Sequence, residues 1–155
     1  MVTDLFGTIL QELSKALNIP NLQPDRNSSC LIRLKDGLEI QLELDRMGLF
    51  LIVGADLGSL PPGKYRENLF REALKANGLP YPWNGILAYS KKTDHLVIYD
   101  QLNVKNLTGE KVATFLSSFT AKAKVWKDAL SREELPAIDQ GYTSQPSSGM
   151  FGLRP

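Results

Sequence analysis

The sequence predicts an α+β domain: a twisted antiparallel sheet with three helices, in the order α-β-β-β-α-β-β-α. Three observations carry this. Apolar residues recur at helical spacing near the start, the middle and the end of the chain. Between them lie five short stretches in which apolar residues fall at every second position. Gly, Pro, Asn and Asp punctuate the joints. Periods of about 3.6 and 2 residues separate an amphipathic helix from a strand.

Residues 1–18 form the first helix. Val2, Leu5, Phe6, Ile9, Leu10, Leu13, Ala16 and Leu17 share one side, and Ile19-Pro20 ends it. Asp4 and Gln11-Glu12 interrupt the apolar pattern, so the stretch does not read as a secretory signal. Residues 21–28 are loop by their Asn, Pro, Asp and Ser content.

Three strands follow. Cys30, Ile32 and Leu34 alternate with Ser29, Leu31, Arg33 and Lys35, and Leu38, Ile40, Leu42 and Leu44 alternate with Glu39, Gln41, Glu43 and Asp45. A two-residue Asp36-Gly37 turn would set charges opposite apolar residues. A three-residue loop, Lys35-Asp36-Gly37, instead pairs Leu34 with Leu38 and Ile32 with Ile40, with Gly at the left-handed position. A four-residue loop from Asp45 to Gly48 then pairs Leu44 with Leu49, and Leu51, Val53 and Ala55 continue the core face. In that register Leu31 lies in line with Gln41 and Ile52. The opposite face carries an apolar patch of Leu31, Phe50 and Ile52 among Arg33, Glu39, Gln41 and Glu43. Either another element of the chain covers this patch, the first or last helix for example, or a partner does. The wide stripe of the first helix supplies a second candidate surface at Leu5 and Leu10.

Gly58-Ser59-Leu60-Pro61-Pro62-Gly63 breaks the pattern before the central helix, which runs from Lys64 to Asn77 and meets a left-handed stop at Asn77-Gly78. Its apolar residues fill about half its circumference, more than one packing contact needs. Either the helix is deeply buried, or one edge, near Phe70 and Leu74, meets another chain. After the stiff loop Leu79-Pro80-Tyr81-Pro82-Trp83, Ile86–Ser90 and His95–Gln101 pair as a hairpin with Ser90 opposite His95. Both its faces are largely apolar: Leu87, Tyr89, Leu96 and Ile98 on one, Ile86, Ala88, Val97 and Tyr99 on the other. Dimerisation through Leu69, Phe70, Ala73, Leu74, Ile86 and Ala88 would cover the excess. Thr108 caps the last helix, whose stripe runs through Val112, Phe115, Leu116, Phe119, Ala123, Trp126 and Leu130. The pattern decays from Ser131. The domain therefore spans 1–130, and 131–155 forms a flexible tail, rich in Ser, Gly, Gln and Pro from Asp139.

Function classes narrow quickly. The net charge is +1 and no basic run exceeds two residues, which argues against nucleic acid or an anionic membrane as partner. The longest apolar run, Leu49 to Ala55, is too short to span a bilayer. The single cysteine, Cys30, excludes an internal disulfide and fits a reducing cytoplasm. With one His and one Cys no imidazole–thiolate zinc site can form, and no catalytic constellation stands out. Cys30 reads as a buried structural thiol and His95 as an exposed turn residue. Asp36, Asp45, Asp56, Asp94 and Asp100 read as turn formers. Neither a cofactor nor a metal is expected.

The stretches Leu31–Asp45, Leu57–Pro61, Glu72–Asn77, Ile86–Tyr89, Leu96–Ile98 and Val125–Lys127, in this order, resemble the bacterial type III secretion chaperones of the Tir-chaperone (CesT/SycE-like) family over about residues 1–130. Two departures stand out: the family is typically acidic, and its Gly-rich loop after the central helix is Leu79–Trp83 here. The resemblance implies a cytoplasmic homodimer, joined through the central helix and the strand after it. It would bind the N-terminal segment of secreted effectors in extended form, without nucleotide, and would meet secretion-apparatus components in turn. The rival readings are an unrelated dimeric α+β protein-binding adaptor and, more distantly, a small-molecule enzyme using Asp36, Asp56 or His95.

Overall fold

The computed structural model describes residues 5–136. Its elements are α1 (Leu5–Leu17), β1 (Ser29–Arg33), β2 (Glu39–Leu44), β3 (Phe50–Ser59), α2 (Lys64–Asn77), β4 (Ile86–Ser90), β5 (His95–Asn103) and α3 (Gly109–Ser131). The strands form one antiparallel sheet in the order β1-β2-β3-β5-β4.

Turn chemistry explains the local pairings. Ile32 faces Ile40, and Gly37, at φ 92°, closes the three-residue loop, its N–H donating to the Leu34 carbonyl. Ser90 faces His95 as the hairpin reading requires. The β2–β3 turn differs by a slip. Leu44 faces Leu51 rather than Leu49, because the Asp45 carboxylate accepts the Leu49 and Phe50 N–H groups and tightens the turn one residue later. The register moves by two, so each side chain keeps its face.

Between β3 and β5 the pairing is long-range, from Phe50 opposite Asn103 to Ser59 opposite His95, with an irregularity at Asp56/Gly58. It fuses the three-strand unit and the hairpin into a single sheet and carries β3 past Ala55.

The helices cover one face of this sheet. Burial alternates along β2 and β3, with Ile40, Leu42, Leu51, Val53 and Leu57 buried and their neighbours open. Phe6, Ile9, Leu10 and Leu13 of α1 join Val112, Leu116, Phe119, Ala123 and Trp126 of α3 in the core. The two helices approach closely at Gly109, where a Cβ would collide with Glu12 Cβ and the Leu13 backbone nitrogen. Gly109 N–H donates to Glu12 Oε1 at 3.2 Å, and Thr108 Oγ1 caps α3 by accepting from Lys111 N–H.

The end of α2 corrects one expectation. Gly78 is right-handed (φ −85°), not left-handed. Pro80 disfavours helical backbone at Leu79, and the Asn77 side chain is turned onto β4. The loop that follows is pinned from α3, where Lys122 Nζ donates to the carbonyls of Trp83 (2.9 Å) and Gly85 (2.8 Å).

The expected domain end at residue 130 falls inside α3. Tyr65 Oη lies within hydrogen-bonding distance of the Ala129 carbonyl in the last turn of that helix and of the Glu134 carbonyl beyond it, and Pro136 is buried. The remainder of the expected tail, with its Gly149–Pro155 ending, lies outside the described residues.

Candidate protein-binding surface

The outer face of the sheet is free of described helices. Residues at alternate positions point there: Leu31 on β1, Glu39, Gln41 and Glu43 on β2, Phe50, Ile52, Gly54 and Asp56 on β3, Val97 and Tyr99 on β5, Ile86 and Ala88 on β4. Leu31 is 49% exposed and Tyr99 41%, while Phe50, Ile52, Val97, Ile86 and Ala88 are half-buried. The patch read on the first three strands and the second face of the hairpin are therefore two ends of one surface.

Leu31 and Ile52 are brought together, but diagonally. Leu31 lies in line with Gln41 and Gly54, and Ile52 with Glu43. They line a depression of about 330 Å³ with Gly54, Val97 and Tyr99, rimmed by Glu39, Glu43 and Asp56. Phe50 lies outside that lining, at the end of the sheet opposite Asn103. Two rim carboxylates have partners: Arg33 Nε lies 2.6 Å from Glu39, and His95 Nδ1 lies 2.8 Å from Asp56.

A second concavity lies on the helix side. The end of α1, the middle of α3 and the β1–β2 hairpin enclose about 390 Å³ of mostly apolar groove lined by Leu17, Ile32, Leu34, Ile40, Ala113 and Leu116. Lys124 and Asp36 join across its rim at 2.8 Å, and Lys124 holds the Asp36 carboxyl below its usual range, aided by the Leu38 N–H. Sequence reasoning missed this groove because three distant segments build it. The available signal was small side chains at Ala113, Ser117 and Thr120 along one side of α3.

The two sheet edges differ. Leu34 N–H donates to the Leu38 carbonyl, which puts Ile32 and Cys30 in the hydrogen-bonded pairs with β2. Alternation then turns the N–H and C=O groups of Ser29, Leu31 and Arg33 to the free edge. Asp25 satisfies Ser29 through both its carboxylate and its backbone N–H. Leu31 and Arg33 present open backbone groups, with no backbone partner on that side among the described residues. On β4 the Asn77 amide donates to the Leu87 carbonyl (2.8 Å) and accepts its N–H (3.0 Å), which closes the middle of that edge.

The expected contacts of α1 and α2 divide in the same way. Leu5 is 43% exposed, but Leu10 is fully buried, because its side of α1 packs into the core rather than standing at an edge. Leu69 and Ala73 are also buried, on the side of α2 turned to the sheet. Phe70 is half-buried, edge-on to Tyr89 at 5.2 Å, with the Arg66 guanidinium over both rings. Leu74 is 72% exposed.

Among the described residues no group of three His, Cys, Asp or Glu side chains could hold a metal ion, and no helix is long and apolar enough to cross a membrane. Cys30 is buried, and burial pushes its thiol pKa up, the opposite of an activated nucleophile.

Comparison with known proteins gives the architecture a family. A chain of the HopA1–SchA chaperone–effector complex superposes with a TM-score of 0.67 at 16% identity, covering 81% of this chain and 94% of that one. A chain of the ExsC–ExsE complex gives 0.63 at 18% identity, covering 89% and 98%. A chain of the Yersinia pestis type III secretion chaperone SycH in complex with a fragment of YscM2 gives 0.60 at 19%, covering 77% and 97%. At these identities the likeness is one of fold. No curated protein sequence matches. The profile of the Tir chaperone protein (CesT) family matches residues 8–127. The match spans most of the chain, and the protein belongs to the Tir chaperone (CesT) family.

Proposed function

We propose that this protein is a type III secretion chaperone of the bacterial cytoplasm that holds the N-terminal segment of an effector in extended form. The observation that carries the reading is the open edge of β1, flanked on the helix side by the apolar groove and on the other by Leu31. A segment paired with Leu31 and Arg33 adds a strand to the sheet, and its backbone bonds are independent of its sequence. Its side chains alternate. One set enters the groove beside Leu17 and Leu34; the other lies on the outer face beside Leu31. Each fully buried apolar side chain contributes roughly 1.5–3 kcal/mol, so a few anchors suffice and no nucleotide is needed. The work is binding rather than catalysis: Cys30 is buried and His95 is held by Asp56.

A second copy of the chain docks through the exposed side of α2 and the outer face of β4, by Phe70, Leu74, Ile86 and Ala88 rather than the buried Leu69 and Ala73. Delivery to secretion-apparatus components would follow from the loaded dimer.

Hydrogen exchange on the chaperone co-expressed with an effector from its own genome tests the edge. The Leu31 and Arg33 amides become protected in the complex while Leu87 is unchanged. Exchange at Leu31 and Arg33 as fast as in the free chain would remove β1 pairing from the mechanism.

A further inference from the structure

Gly54 sits in the middle of β3 on the outer face, between Gln41 of β2 and Tyr99 of β5. A glycine weakens a strand interior, and where one stands the usual causes are a special backbone angle, a close approach of neighbouring atoms, or an approaching ligand. The first two are absent. Gly54 does not have the positive φ that favours glycine, and a Cβ there would meet only the Ile98 carbonyl oxygen, at an ordinary 3.7 Å. What the missing side chain does is leave a hollow between Leu31, Ile52, Val97 and Tyr99. Glu39, Glu43 and Asp56 line this hollow and no cation does. Arg33 and His95 engage Glu39 and Asp56, and Glu43 has no ion-pair partner among the described residues.

We propose that the hollow over Gly54 is a second docking point on the chaperone, taking one apolar side chain of an effector segment that carries Lys or Arg beside it. This rests on the chaperone reading above and names the chemistry of the segment. The apolar side chain fills the space left by Gly54, and the cation lies over Glu43. A second copy centred on the hollow itself, as distinct from one docked at β4 and α2, fits poorly, because a two-fold axis there would set the same carboxylates against each other. Nucleic acid is excluded by the same charges. At about 4.8 Å per strand, the hollow lies about 14 Å from a strand added to β1. A linker of at least four to five extended residues, at about 3.3–3.6 Å each, lets one effector reach both points.

An NMR titration tests it with two synthetic Gly/Ser peptides, one with a central Leu flanked by Lys on each side, the other with the same Leu flanked by Glu. The Lys peptide shifts the amides of Glu43, Gly54 and Tyr99, and the Glu peptide leaves them in place. Gly54→Val, a β-branched residue suited to a strand, keeps the thermal midpoint and weakens the Lys peptide at least tenfold. Glu43→Lys, a surface change that preserves packing, does the same and exchanges the preference to the Glu peptide. Equal binding of both peptides, or binding unaffected by both substitutions, overturns the proposal. So does a change of oligomeric state in Gly54→Val, which would assign the face to a second copy. In the effector complex the two readings fail separately. Protected β1 amides with an affinity indifferent to Gly54→Val sink the hollow alone. A Lys peptide bound at Gly54 with β1 left unprotected in the effector complex sinks the strand-addition reading alone.

Discussion

The sheet has two edges, and they are treated in opposite ways. Along β4 the Asn77 amide occupies both backbone groups of Leu87, and the Arg66–Phe70–Tyr89 stack covers the seam with α2. Along β1 a loop residue, Asp25, satisfies Ser29 and stops there, leaving Leu31 and Arg33 open. An uncapped strand edge invites pairing with other chains, and proteins usually blunt both edges. Tyr89, on the same free side of β4 as Leu87, has no backbone partner among the described residues. Thus β4 is closed at its middle, while β1 is open over Leu31 and Arg33 beside the apolar groove.

The largest effect is expected at the support of the open edge. Gly109→Leu drives a side chain into the backbone of α1, whose end walls the groove. Overpacking of this kind costs about 3 kcal/mol, read as a lowered urea midpoint, and effector binding falls with it. At the closed edge, Asn77→Ala leaves the Leu87 N–H and C=O without their partner. This costs about 1–3 kcal/mol, and the freed edge self-associates, detected by faster exchange at Leu87 and by light scattering. If Asn77→Ala is as stable and as monodisperse as the parent, the clamp is dispensable.

On the outer face, Ile52→Asp removes roughly 1.5–3 kcal/mol of effector binding while the thermal midpoint and the oligomer persist. Unfolding would instead mark the half-buried Ile52 as core, and unchanged affinity would move the site toward the β1 groove.

The smallest effect sharpens the picture of β1 itself. Burial, with Asp25 nearby, raises the Cys30 thiol pKa. The unfolded chain therefore loses that proton first, and this contribution to stability, complete at lower pH, is lost as pH rises above about 8.5. Cys30→Val flattens this part of the profile, read as the pH dependence of the urea midpoint. The raised Tyr65 adds a loss of the same sign above about pH 10, and the lowered Lys122 opposes it. The difference between parent and variant isolates the thiol.

How much of this is legible in the sequence depends on how far apart the interacting residues are. The spans of α2 and α3 and the β1–β2 and β4–β5 registers follow from caps, turns and alternation within a few residues of Gly37, Thr108 and Ser90. The β2–β3 slip escapes alternation, because a shift of two keeps Leu44 and Leu51 on the core face, and only the reach of the Asp45 carboxylate decides it. The β3–β5 pairing has no local signal. Without it the Leu31–Ile52 patch and the Ile86–Ala88 face read as separate surfaces, and neither the hollow over Gly54 nor the closed edge at Asn77 is visible. Leu10 and Leu69 show the same limit, since a helical stripe does not reveal which of its edges the neighbours reach.

The Asn77 clamp also bears on the order in which the molecule assembles. It joins residues ten apart, whereas Phe50 must find Asn103 across most of the sequence between the first and last helices. Closing a short loop costs less chain entropy and happens sooner. The α2–β4–β5 unit therefore forms with the middle of its outer edge already closed at Leu87, and β5 is the fully open side for β3 to join. A single amide thereby acts as a guide during folding: it obstructs the wrong side at Leu87 before the late-arriving strand arrives.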